Sequence, residues 1–410
     1  MPGARRARRH FLVYERCWIF IWRSARTENL DYILMYKNLI LPASILTGAI
    51  IGAGVFALPY LTGKAGLLAG LFYLIIFADA LTLIHLMYVD IIRATDERHR
   101  FTGYAQIYLG NIGKWLTLVV TIFGMILILT VYLILGISFI NLIYPSLILQ
   151  YKLLIFWLLA SLPIFWSIRQ LAFSELLATY GIAAIIFAIF IYGIGNIGEL
   201  FKTPLLNLAY GYLPYGAMLF ALSGRVAIPA VADYFRKRKK PVSNAKSAII
   251  IGTAAPAFIY LMFIIGILSL GNNTSEDAVS GLIGHLPIVW LWLLGILGLT
   301  AIWSTYIVVG QDIAQSLELD FKLPKILALL TVLFAPLLLY FAGLKDFLGL
   351  VSLVGGVFIG LESILIILMW KKIPKSQAKD VMLKKLNPVT LCALLLIFVL
   401  GIITTVIGRW

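Results

Sequence analysis

The chain has 410 residues, 62% of them from the AVILMFWYC set and 12% charged, with a mean hydropathy of +0.99. Soluble domains average roughly 45–50% apolar and about 25% charged residues, so this composition excludes a soluble globular protein, and its hydrophobicity equally excludes a disordered one. The net charge of +15 would suit nucleic acid, but the charges sit in short segments between long apolar runs, where membrane topology signals belong, so the expected partner is a lipid bilayer and no nucleic acid.

Residues 1–38 form a basic segment. Arg5, Arg6, Arg8 and Arg9 precede only a six-residue apolar patch, Cys17–Trp22, which is too short for a secretory signal. Two readings stand side by side. The segment is an interfacial amphipathic stretch with arginines drawn to anionic lipid, or it lies upstream of the true start at Met35. Cys17 and Cys392 are too far apart in sequence to suggest a disulfide framework or a zinc site.

From 39 to 408 the chain reads as a single transmembrane domain. A span needs about 20 mostly apolar residues. Eleven candidates follow in order: 41–61, 65–92, 115–144, 153–168, 175–195, 210–231, 247–270, 286–311, 325–342, 347–370 and 388–408. With residue 1 in the cytoplasm, 27 Lys and Arg fall in cytoplasmic segments and five outside, with Arg225 inside a span. That asymmetry predicts a multi-pass protein of the cell (plasma or inner) membrane, with a cytoplasmic N-terminus and an external C-terminus.

Two strings 170 residues apart are the most informative feature. Gly54-Val-Phe-Ala-Leu-Pro59 lies in the first span and Gly224-Arg-Val-Ala-Ile-Pro229 in the sixth. Glycine costs about 1 kcal/mol against alanine within a helix, and proline removes a backbone donor, so both spans should break in mid-membrane. Interruptions of this kind are tolerated where the freed backbone faces a cavity or protein. The sixth span lies five after the first and therefore runs the opposite way. This predicts an inverted repeat, with repeat one over about 41–195, repeat two over about 210–370, and an extra helix at 388–408. Matched interrupted spans in two halves point to a transporter's binding site. Taken alone, Gly48 and Gly52 would suggest only helix packing through small residues.

The residues around Gly48-Ala-Ile-Ile-Gly-Ala-Gly-Val-Phe-Ala-Leu-Pro-Tyr60 resemble the first-helix signature of the amino acid/auxin permease family. The similarity is greatest to the aromatic and hydroxy amino acid permeases of the amino acid-polyamine-organocation superfamily. Leu219-Phe-Ala-Leu-Ser-Gly224 with Ile228-Pro229 resembles that family's sixth helix, and the resemblance covers roughly residues 36–410. It implies an all-α, LeuT-like fold with discontinuous helices 1 and 6, and import of an aromatic or other neutral amino acid by cation symport through alternating access.

The backbone chemistry suits a zwitterion. Amide groups around Gly52, Ala53 and Gly54 would meet a carboxylate, whereas carbonyls of Ala49, Ile50 and Ile51, and of Phe220, Ala221 and Leu222, would meet an ammonium group. Family resemblance draws the side-chain part of the pocket from spans three, six and eight: Tyr132, Phe220, Ser223 beside Gly224, Thr305 and Val309. Ordinary helix packing is the competing explanation for the aromatics. Ala301, Ser304 and Thr305, with carbonyls at Gly48 and Ile51, look like the sodium site that many members of the fold build. Alternatively, the two hydroxyls bond back to their own helix. No cofactor and no metal beyond a sodium ion is expected, and the coupling ion is H+ or Na+, with protons favoured by family resemblance.

Ionisable groups within spans are functional candidates by default. Asp79, Arg225 and Glu362 are candidates for coupling or gating, with Arg225 expected to pair with Asp79, Glu362 or Asp233. His85 reads as a satisfied polar residue. Competing classes are an intramembrane enzyme and an uncoupled channel or receptor on the same fold. The chain has neither HExxH nor GxxxxGK[ST], which argues against a zinc hydrolase and against ATP-driven transport. The protein is expected to act as a monomer.

Overall fold

The structure, a computed structural model, describes residues 35–165, 171–237, 242–271, 274–374, 381–383 and 386–407. The basic segment up to residue 34, Arg169 and the basic run at 238–241 lie outside the described residues. Everything described folds as helices and their connections.

The first predicted span is broken. A π-helical stretch, Tyr36–Ile40, runs into α1 (Leu41–Ile50), which stops where Ile51 turns extended (φ −72°, ψ 94°) and Gly52 follows at φ −139°, ψ −152°. A 3₁₀ turn, Ala53–Ala57, then leads into α2 (Leu58–Ala65), with Pro59 in the first turn, where its missing N–H has no partner to lose. The two arms meet at 54°.

Next come α3 (Leu67–Ala94), α4 (Phe101–Ile143), α5 (Leu149–Ser161) and α6 (Leu171–Ile194). α4 begins well before the predicted 115. Gly110, at φ 77°, divides a short arm starting at Phe101 from the long apolar run. A Cβ at Gly110 would touch nothing within 4 Å, so this glycine serves the backbone angle rather than packing.

The sixth predicted span is interrupted like the first. α7 (Pro214–Leu222) ends at Ser223 (ψ 124°), a 3₁₀ turn spans Arg225–Ala227, and α8 (Ile228–Lys237) follows. The second arms α2 and α8 begin 170 residues apart, with Pro59 and Pro229 each at the second position. α9 (Val242–Leu268), α10 (Ile288–Leu319), α11 (Lys325–Phe341), α12 (Phe347–Leu353), α13 (Gly360–Lys371) and α14 (Pro388–Ile407) complete the chain, with a π-helical stretch, Val354–Ile359, joining α12 to α13.

Among the described residues, seven helices are long and apolar enough to cross a membrane, and the bent α1–α2 pair makes an eighth. The other three predicted spans fall on shorter apolar helices, Leu149–Ile164, Thr179–Ile194 and Lys325–Phe341. Large apolar side chains such as Phe72, Phe123, Phe258 and Leu338 point outward, as a lipid-facing surface requires.

Helices approach closely where glycines meet. A Cβ on Gly193 of α6 would lie 2.3 Å from the Gly266 carbonyl oxygen of α9. Gly193→Val should therefore push the two helices apart at a cost of about 1–3 kcal/mol. A lowered melting temperature of the purified protein in detergent is the expected result.

Candidate functional site

The two breaks face each other in the middle of the bundle, and close approach is built in by glycine. A Cβ on Gly54 would lie 2.5 Å from Ala221 Cα, and one on Gly224 would lie 2.6 Å from Ile50 Cγ1. Breaking a helix orphans carbonyls at the end of its first half and amides at the start of its second. One side chain from α9 satisfies a carbonyl of each break. The Tyr260 hydroxyl is shared between the carbonyls of Ile50 (2.7 Å) and Ala221 (2.9 Å). Tyr260 is completely buried.

A second connection runs from α3. The Gly224 N–H donates to His85 Nε2 at 3.1 Å, and His85 Nδ1 lies 3.1 Å from Thr253 Oγ1 on α9. Thr253 itself donates to the Ile249 carbonyl. His85 therefore carries its hydrogen on Nδ1 and is neutral. Thr47 of α1 also reaches α9, donating to the Gly252 carbonyl at 3.2 Å.

A cavity of about 110 Å³ opens where the breaks meet. Ala49, Ile50, Gly52, Ala53 and Gly54 line it from the first break, and Phe220, Ser223, Gly224 and Arg225 from the second. Tyr132, Thr305, Val309 and Glu362 complete the set of sequence-predicted residues that the fold brings together there. The Tyr132 hydroxyl faces Gly52 across 3.5 Å, measured to where a Cβ would sit. Ile51, Ala221 and Leu222 are buried behind the wall rather than in it.

Arg225 is paired with Glu362, Nε to Oε2 at 2.7 Å. Thr121 donates to the other carboxylate oxygen at 3.0 Å, and the guanidinium lies 4.6 Å from the centre of the Phe101 ring. Asp233 is engaged elsewhere, with Arg98 at 3.0 Å. Asp79 stands apart on the exposed face of α3, on the same side as Phe72 and Ile75.

Gly48, Ala301 and Ser304 do not line the cavity. Gly48 faces Thr179 of α6, and the hydroxyls of Ser304 and Thr305 both donate to the Ala301 carbonyl at 3.0 Å. Their hydrogens thus go to their own helix, and their lone pairs are what remains for any cation.

Sequence reasoning missed part of the wall and the supports behind it. Thr121, Gly124, Met125 and Ile128 of α4 line the cavity, as do Val354, Phe358 and Ile359 of the π-helical stretch. Tyr260 and Thr253 lie seven residues apart, hence on one face of a helix. Two hydrogen-bonding side chains at that spacing in an apolar span were the available signal.

The profile of the tryptophan/tyrosine permease family matches residues 35–280. No curated protein sequence matches the chain. Among solved structures, MhsT in complex with L-phenylalanine aligns with a TM-score of 0.62 at 16% identity, over 89% of this chain and 96% of that one. A manganese transporter of Eremococcus coleocola, in complex with an aromatic bis-isothiourea substituted compound, gives 0.56 at 15% identity, over 92% and 88%. At such identities the likeness establishes the fold.

Tyr260→Phe removes the hydroxyl and leaves buried backbone groups of both breaks unsatisfied, at about 1–3 kcal/mol each. Faster amide hydrogen exchange at Gly52–Val55 and Gly224–Val226, with helices elsewhere unchanged, is the expected outcome. Unaltered exchange there would show that the breaks hold without Tyr260.

Proposed function

Since the chain belongs to the tryptophan/tyrosine permease family, a family of transporters and not of enzymes, we propose that it imports aromatic amino acids by proton symport through alternating access. The observation that carries this reading is the cavity between the two broken helices, where backbone polar groups and aromatic walls meet. The 3₁₀ turns beginning at Ala53 and Arg225 open onto it, and helix N-termini attract a carboxylate. Because Tyr260 already holds the carbonyls of Ile50 and Ala221, and the Ser223 N–H donates to that of Phe220, the ammonium group falls to the carbonyl of Ala49. Phe220, Tyr132, Met125 and Phe358 offer an aromatic ring an apolar surround.

We read the eight long spans and three shorter apolar helices together as eleven crossings, arranged as a five-plus-five inverted repeat with α14 added. The charge asymmetry supports a cytoplasmic N-terminus. The proton is preferred to sodium because Arg225 and Glu362 place ionisable groups against the cavity.

Two measurements test the reading. In liposomes containing the purified protein, a pH gradient without sodium should accumulate labelled tryptophan, tyrosine or phenylalanine, up to about tenfold per pH unit for one proton per substrate. Accumulation that follows only a sodium gradient would move the coupling to Ser304 and Thr305, and equilibration without accumulation would indicate a channel. For orientation, a cysteine at position 275 should react with an impermeant reagent added outside cells. Labelling only after the cytoplasmic face is opened would reverse the topology.

A further inference from the structure

His85 is 1% exposed, the sole histidine inside a predicted span, and it does not line the cavity. Its two ring nitrogens are nonetheless committed to the second break and its support, one accepting from Gly224 and the other facing Thr253. We propose that His85 is the residue that takes up the coupling proton, and that it acts on the substrate site by releasing the Gly224 N–H. This rests on the proton-symport reading above.

The geometry makes the switch all-or-none. Neutral imidazole has one donor and one acceptor, and Thr253, whose hydrogen goes to Ile249, can only accept from Nδ1–H. Nε2 is thus the acceptor for Gly224. A proton added to Nε2 turns that acceptor into a donor, and two N–H groups cannot face each other at 3.1 Å. The imidazolium and the clamped break exclude one another. A proton therefore binds only the conformation in which Gly224 has moved, and movement of Gly224 raises the affinity for the proton by the same factor.

Gly224 is well placed to pass this on. It lines the cavity, it packs against Ile50 and Leu46 of α1 with no room for a Cβ, and its neighbour Arg225 holds Glu362. Arg225 is matched with Glu362 and Asp233 of α8 with Arg98, while Asp90, five residues on along α3, is buried and accepts from Trp370 Nε1 and from the Met382 and Leu383 N–H groups. Tyr88 on α3 and Tyr260 on α9 are the neighbouring titratable hydroxyls, and Lys64, Lys246 and Lys371 lie exposed towards the ends of α2, α9 and α13. With those charges paired and the Asp90 carboxylate held by three N–H donors, the imidazole is the group bonded directly to the break.

The test compares wild type with His85→Gln, whose amide oxygen can still accept from Gly224 but does not titrate. In liposomes, wild-type substrate exchange should vary as the pH falls below about 6.5, the free imidazole value, because the Gly224 clamp competes with the proton, and a pH gradient should drive accumulation. His85→Gln should show exchange that no longer varies with pH and accumulation reduced at least about tenfold. Accumulation by His85→Gln equal to wild type would overturn the role of His85 and leave proton symport standing. Wild type indifferent to a pH gradient would overturn both. Should His85→Gln fail to reach the membrane, Thr253→Val removes the acceptor of the Nδ1–H, a bond stronger to imidazolium than to imidazole. The midpoint of the wild-type pH profile should then move to lower pH by about 0.5–1 unit, and an unmoved midpoint overturns the proposal.

Discussion

One hydroxyl holds together what the backbone alone cannot. Breaking a helix inside an apolar bundle strands carbonyls and amides where no water reaches them, and each unsatisfied group costs about 1–3 kcal/mol in a protein interior. Tyr260 answers both breaks at once, taking the Ile50 and Ala221 carbonyls. Thr253, two turns earlier on α9, braces His85 against Gly224, and the Gly252 carbonyl receives Thr47. A single face of α9 is thus the strut on which both interrupted helices rest. The breaks are coupled because they share partners, and a movement at one must be answered at the other.

Glycine decides how near the parts can come. Gly54 lies against the Ala221 backbone and Gly224 against Ile50, so the two breaks touch directly rather than through side chains. Gly216 of α7 and Gly355 of the π-helical stretch approach in the same way. That contact turns the Val354–Ile359 segment towards the cavity and supplies Val354, Phe358 and Ile359 to its wall. Local π-helix is often found at functional sites, where an altered turn re-aims side chains.

The sequence revealed the breaks far better than the wall. Gly52, Gly54, Pro59, Gly224 and Pro229 disturb helix formation wherever they stand, so their effect is local and can be read without knowing the neighbours. Which face of an apolar span looks inward is a different question. When both faces are apolar, periodicity carries little information, and Met125, Ile128 and Phe358 could not be told from lipid-facing residues. Asp79 shows the same limit from the other side. An ionisable group in a span pointed to function, but its place on the outer stripe of α3 with Phe72 and Ile75 depends on helix rotation, which only packing fixes. Arg225 was expected to pair, and the fold selects Glu362 because the turn after Gly224 aims it at α13, while Asp233 is drawn to Arg98. His85 was read as a satisfied polar residue, which it is; what the sequence did not show is that its partner is the break itself.

Charge balance ties these parts to the proposed transport cycle. Net charge is expensive away from water, and Arg225 with Glu362 forms a pair that is neutral overall and completed by Thr121 and Phe101. An amino acid zwitterion is also neutral overall, so its arrival leaves the charge of the cavity region unchanged. The coupling ion is then the one component that adds charge, and a state that carries it must differ from one that does not. A neutral His85 locked to Gly224 fits the uncharged state, with every nearby hydrogen bond satisfied. Charging the site without moving the break would set donor against donor in a buried place. On this reading, coupling needs no long pathway, because the group that senses the ion and the backbone that contacts the substrate are one hydrogen bond apart.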